Sequence, residues 1–373
     1  MKNFIFLKVL FLFTLFSCAQ EKLDDVPLEP DPKNYTSKIV VPDLQIPWGM
    51  TWLPDNSMLI TEKSGELIHY KDGIKTQIGN IPEVYNRNQG GLLDIELHPN
   101  YKENGWIYLT YSSKEGSEKG GHTALIRAKL ENNQLTAIEK LYKGTPNTTR
   151  GHHFGSRIEF DNEGYLYFSI GDRGNRDENP QDITRDGGKI YRLLDDGSIP
   201  DNNPFVTKDG AKKAIFSYGH RNPQGMALNP VDGKIWIHEH GPRGGDEINE
   251  IHKASNYGWP VITYGINYSG TSITDITSKE GMKQPIYYWI PSIAPSGMDF
   301  VTSDVYPEWK NDLLVGSLKF QYLELVELEN NKVIGRKKVL EDIGRVRNVR
   351  QGPDGFIYVA VENKGIVKII PNP

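Results

Sequence analysis

Cysteine is almost missing from this chain: Cys18 is the only one in 373 residues. Internal disulfides and thiolate metal centres are thereby excluded. No long hydrophobic run follows the first 18 residues, so nothing after them reads as a membrane-spanning helix. Basic residues are not in excess. The 43 Lys and Arg face 48 Asp and Glu, and the formal net charge of -5 gives no global attraction to nucleic acid. No long amphipathic helical pattern appears after residue 40, and no linker-like break divides the chain there. What abounds is punctuation: 37 Gly and 23 Pro imply many turns.

Residues 1–18 form a targeting segment. Lys2 and Lys8 flank or interrupt a run of Phe, Leu, Ile and Val reaching Phe16, of signal-peptide length. Its end, Leu15-Phe16-Ser17-Cys18, resembles the bacterial lipoprotein cleavage box, where a lone cysteine makes sense as an acyl-carrying N-terminus. Residues 19–38 are polar, acidic and Pro-rich, and are expected to form a flexible tether. The folded domain is expected over residues 39–373. The expected location is the bacterial cell envelope, the protein being an exported periplasmic or outer-membrane lipoprotein that meets a membrane only through its lipid anchor.

A degenerate unit recurs after residue 40: alternating apolar residues, a Pro/Asp/Asn/Gly turn, then a β-rich run. Its copies begin at Met50, Asp94, Arg157, Met226, Met298 and Val349. Alternation bounded by such turns signals hairpins. Repetition every roughly 45–70 residues, with irregular insertions, points to radial stacking. The expected fold is all-β, a six-bladed β-propeller; a large β-sandwich or two β domains is the alternative.

Side chains suited to chemistry are densest between Tyr218 and Pro260, in YGHRNPQGMALNP, HEHGPRGGDEIN and NYGWP. Arg221 and Asn222 suit planar carboxylate and carbonyl groups. The Gly241-Pro242-Arg243-Gly244-Gly245 segment lets backbone approach a ligand closely, and Asp246 with Glu247 suits a hard cation. A polyanion beside calcium is one reading, a loop stapled by its own polar groups the other. In residues 151–157 (GHHFGSR), a histidine can take a proton from a substrate hydroxyl. The pair could also bind zinc, but no HExxH pattern supports that. Gln89, at the entry to the second unit, can donate to a carbonyl or a sugar hydroxyl. Lys319 closes the fifth unit. Arg345 and Arg347 precede the sixth and alternate, so a strand would point both to one face. With Arg221 and Lys319 they would suit a tri-acid ligand; a solvated face is the other reading.

Together GHRNPQG, HEHGPRGGDEIN, NYGWP, QGGLLDIELHP, GHHFGSRI, IPSIAPSGM, GSLK and the RVR strand resemble the soluble pyrroloquinoline-quinone-dependent sugar dehydrogenases. This is the glucose/sorbosone dehydrogenase family, and the match favours its aldose sugar dehydrogenase branch over residues 40–370, in order. The resemblance implies a six-bladed propeller with the quinone over the channel mouth and calcium beside it. It also implies oxidation of the C1 hydroxyl of aldoses to lactones, with hydride passing to the quinone and electrons to an acceptor that the sequence does not identify.

By motif, His153 resembles the catalytic base and Arg221 the arginine beside the reactive quinone carbonyl. Gln89 and Asn222 resemble groups that contact quinone or substrate, and Lys319, Arg345 and Arg347 look like the cations for the cofactor's carboxylates. Tyr268 is similar to a cofactor-contacting tyrosine, and Ser292 falls where the glucose branch has a hydroxyl residue at the cofactor. For calcium, Gly241 and Pro242 match backbone-carbonyl ligands, while Glu247 and Tyr257 match a second site. His152 stands where the glucose branch has Asp, which puts sugar preference in question. VITYGINYSG, after NYGWP, lacks the acidic cluster that completes a calcium site there, so the chain is expected to be a monomer or a weak dimer. The competing functions are a calcium-dependent propeller lactonase or hydrolase, which would want a ring of carboxylates, and a non-catalytic carbohydrate-binding propeller.

Overall fold

The computed structural model describes residues 26–372; the targeting segment and Cys18 lie outside them. The expected propeller is what the chain forms: six sheets, each built on four antiparallel strands, in sequence order except in the sixth, with one short parallel strand added to the fifth. The first blade holds Pro47–Trp52, Met58–Glu62, Glu66–Lys71 and Ile74–Ile78, and the second begins at Leu92–Leu97 and Ile107–Ser113. The third begins at Ile158–Phe160 and Leu166–Ile170, the fourth at Pro223–Leu228 and Ile235–Glu239, the fifth at Pro295–Phe300 and Leu313–Ser317. The sixth runs Val346–Gln351, Ile357–Val361 and Gly365–Pro371. Its outermost strand, Tyr35–Pro42, comes from the other end of the chain, with Thr36 opposite Ile370. That pairing closes the ring.

The repeating unit is the first hairpin of each blade. Trp52 pairs with Met58 around a turn in which Asn56 has φ 64°, and Phe160 pairs with Leu166 around Gly164 at φ 84°. Both are left-handed positions that favour Asn and Gly, which explains the turn residues at these points. The strands between are apolar on both faces because each sheet is covered by the next blade. Six of the buried clusters among the described residues are each shared by two neighbouring blades. Leu59 and Leu67 meet Ile95 and Leu109 between blades one and two, and Ile60 and Met50 meet Val41 and Ile366 between blades one and six.

First strands of adjacent blades touch one another around the full circle, so they line the axis. Arg157 ties them together there. Its guanidinium donates to Gln224 O (2.7 Å), Trp48 O (3.2 Å), Arg347 O (2.9 Å) and Asp94 Oδ1 (3.0 Å), contacts from four other blades. It also lies 4.0 Å from the Trp48 ring.

From Val26 onward, the stretch expected as a tether is built into the fold. Leu28–Glu29 pairs in parallel with Arg336 and Lys337 at the edge of blade five, and Arg336 donates to Val26 O at 3.0 Å. The strand of blade six already starts at Tyr35 rather than after residue 38. An outer strand presents unpaired backbone groups, and this segment covers two such edges.

Candidate active site

Topology gathers the site before any side chain is considered. The first two strands of a blade are antiparallel, so the loop entering the first and the loop leaving the second emerge at the same end. Gln89, His153, Arg221, Asn222, Ser292 and Arg345 each precede a first strand, whereas Lys63, Asp172, Gly241, Lys319 and Glu362 each follow a second one. One mouth of the channel therefore receives residues from all six blades.

His153 is held on every side. Its backbone has φ 58°, a strained value for a side-chain-bearing residue, and its N–H donates to Gln89 Oε1 at 2.7 Å. Its Nδ1 lies 2.6 Å from Asp172 Oδ1. A proton on Nδ1 donates to that carboxylate and leaves Nε2 with its lone pair as the acceptor. Burial, then the charge of Arg221, hold His153 down at about 4, with Asp172 acting in the opposite sense. Burial alone would raise Asp172. The charge and hydrogen bond of His153, Arg221 and the Trp259 indole hold it at about 2 instead. At neutral pH the pair is thus a neutral imidazole on a carboxylate, the state a proton acceptor needs.

Around this pair, His152, Gly174, Arg176, Asp177, Arg221 and Tyr268 line a recess of about 270 Å³. A groove of about 950 Å³, lined by Arg243, Ser292, Lys319 and Arg345, shares Pro242 and Tyr268 with it. Side by side they have the size of a small-molecule site. Tyr268, 73% exposed, stands between the two. Arg345 and Arg347 both reach Glu362, the first through Nε at 2.6 Å, so the alternating arginines do share a face. Arg347 also donates to Gln224 Oε1 at 3.1 Å. Lys63 joins them; burial and then the charge of Arg347 lower its pKa. One buried carboxylate thus faces several cations, an arrangement that leaves positive charge for an anion.

Other expected residues play different parts. Asn222 is buried, and its Oδ1 accepts from Gly155 N at 3.1 Å, behind the histidine loop. The Ser292 hydroxyl donates to Asp246 Oδ2 at 2.6 Å. The expected calcium set is divided. Pro242 lies at the recess, whereas Gly241, Glu247 and Tyr257 line a small inner cavity with Glu239 and His240. The Gly241 carbonyl accepts from Arg221 at 2.8 Å. Burial, then the charge of Glu239, push Glu247 up to about 8. Among the described residues no three or more His, Cys, Asp or Glu side chains cluster as metal ligands, so backbone carbonyls would have to complete a cation's shell.

Sequence reasoning passed over Asp172, Trp259, Lys63 and Glu362. Asp172, just past the second strand after the histidine pair, is one of several carboxylates in Gly-rich loops and did not stand out. Nor did Trp259, because its partner belongs to another blade.

A sequence profile described as "Glucose / Sorbosone dehydrogenase" matches residues 44–368. The chain is 40% identical over 350 residues to "Aldose sugar dehydrogenase YliI" of Escherichia coli, covering 91% of this chain and 94% of that protein. It superposes on the apo-form of the soluble aldose sugar dehydrogenase from Escherichia coli with a TM-score of 0.87, at 39% identity, covering 90% of this chain and 99% of the other. With the PQQ-bound form of an aldose sugar dehydrogenase from Streptomyces coelicolor the TM-score is 0.72, at 25% identity, covering 91% and 99%.

Proposed function

Since the chain belongs to the glucose/sorbosone dehydrogenase family, we propose that it is a quinoprotein oxidoreductase that oxidises the C1 hydroxyl of aldose sugars to lactones. The observation that carries this reading is the His153–Asp172 pair at 2.6 Å, opening on a recess that also holds Arg221 and continues into a cationic groove. When bound, pyrroloquinoline quinone would supply the hydride acceptor; the rest is done by the protein.

The residues present fit that group. It carries three carboxylates, and Lys319, Arg345 and Arg347 offer charge from two blades, balanced by Glu362 alone in their ion pairs. Gln89 has its Oε1 engaged, which aims its role at donation through Nε2. At the recess His153 Nε2 would take the proton from the sugar O1 while Asp172 holds the ring and steadies the imidazolium that forms. Arg221 would stabilise negative charge developing beside it. Glu247 and the Tyr257 carbonyl fit an oxygen-liganded cation such as calcium, which would reverse the upward shift of Glu247. The Gly241 carbonyl accepts one hydrogen bond from Arg221 and keeps a second lone pair for such a cation.

Cys18 would carry the lipid that tethers the enzyme in the cell envelope, where electrons pass to an external acceptor. The test is reconstitution. Protein lacking residues 1–18 should reduce a redox dye with aldoses only after pyrroloquinoline quinone and calcium are added. Inactivity across a broad sugar panel would sink the proposal, while lactone hydrolysis or glycan binding without the quinone would favour the two competing functions.

A further inference from the structure

We propose that Trp259 is a positioning residue for this chemistry, one indole that ties the proton acceptor in blade three to the arginine in blade four. The inference rests on the reading of His153 as that acceptor. The Trp259 Nε1 donates to Asp172 Oδ2 at 2.9 Å. The other oxygen, Oδ1, receives His153 Nδ1 at 2.6 Å and Gly174 N at 2.7 Å. The face of the same indole lies 5.4 Å from the Arg221 guanidinium. Main-chain bonds fix the ring: Trp259 N donates to Gly219 O at 2.9 Å, and Gln181 Nε2 donates to Trp259 O at 2.8 Å. The residue is buried, and it lines the recess beside His153.

Asp172 is buried, so each donor on it matters. Without the indole N–H, Oδ2 loses the donor that Trp259 supplies, and the carboxylate becomes a stronger acceptor. The partner able to respond by binding a proton is His153, so its imidazolium is stabilised. The charged or titratable groups that face His153 are Asp172, Arg221, His152 and His240, with Arg173 next to Asp172 and Arg176, Asp177 and Tyr268 around the recess. Trp259→Phe leaves all of them in place and keeps an aromatic face under Arg221. A change in His153 then reports the lost N–H.

The first measurement needs no cofactor. Ring-nitrogen NMR of the cofactor-free protein, with the signal assigned by His153→Gln, follows the titration of His153. Trp259→Phe should raise its midpoint by roughly 0.5–1 pH unit. In the reconstituted enzyme the acid limb of kcat/KM should move up equally, and kcat should drop about tenfold with KM nearly constant. In an Asp172→Asn background the same substitution should add nothing further. If Trp259→Phe does not fold, benzothienylalanine at position 259, which lacks only the N–H, should give the same shift. An unmoved His153 titration overturns the proposal. Should no form oxidise any aldose, the functional reading falls, while the cofactor-free titration still decides the role of Trp259.

Discussion

At the scale of the residue, the site depends on a histidine kept neutral under conditions where an exposed one would begin to protonate. Burial and Arg221 depress His153 to about 4. A base must be unprotonated to act, so kcat/KM should stay level as pH falls through 6.5 and decline only toward pH 4. A pH–rate profile whose acid limb lies at 6.5 would contradict the burial argument. His153→Ala should still bind the quinone, because the carboxylate-facing cations are untouched, yet lose about 10²–10⁴ in turnover. Cofactor titration by absorbance, set beside dye reduction, separates the two effects. His153 itself could be read from the Gly-flanked histidine pair. Its support could not. Asp172 is a carboxylate in a Gly-rich loop like several others, and only the antiparallel first hairpin of blade three places it behind the ring.

At the scale of the element, the edge of blade five is instructive. Glu324 is fully buried and receives Arg336 Nε at 2.5 Å, Trp289 Nε1 at 2.9 Å and the Tyr322 hydroxyl at 2.9 Å. The same guanidinium holds Val26 O and the Tyr287 hydroxyl. Arg336→Met would leave an uncompensated buried carboxylate, at about 3–5 kcal/mol, and release Leu28–Glu29 from its edge. Limited proteolysis should then cut before residue 35 much faster than in the parent, with a lower urea midpoint. Equal cleavage rates would show that the segment is held by other means. Composition alone read residues 19–38 as a tether. It could not show that part of this stretch finds an open strand edge, because pairing of backbone groups leaves no trace in side-chain type.

At the scale of the whole molecule, the ring holds buried histidines that the mechanism does not use. His122, between blades two and three, is pressed down to about 3, by burial first and then by Arg173. Its neutral form belongs to the fold and its charged form to the unfolded chain. Stability from this residue is therefore complete above pH 6.5 and lost as pH falls toward 3, at about 1.4 kcal/mol per unit. Glu159, which burial pushes up to about 8, works in the opposite sense between pH 8 and 4.5. The test is consequently a difference. The stability of the parent relative to His122→Gln, from urea melts, should shrink by that slope between pH 6.5 and 4. A constant difference would mean that His122 is charged in the folded state.

The number of blades, the turn residues and the histidine that stands at the recess were legible because each rests on short-range pattern: alternation, left-handed turns, glycines around a histidine. The grouping of Lys319 with Arg345 and Arg347 was legible as charge alone. What the tertiary structure decided was partnership. It set Glu362 between two arginines, turned Asn222 inward, and placed the Trp259 indole on a carboxylate from another blade. Those outcomes depend on loops from different blades meeting at one end of the ring, a long-range geometry that no local run of residues encodes.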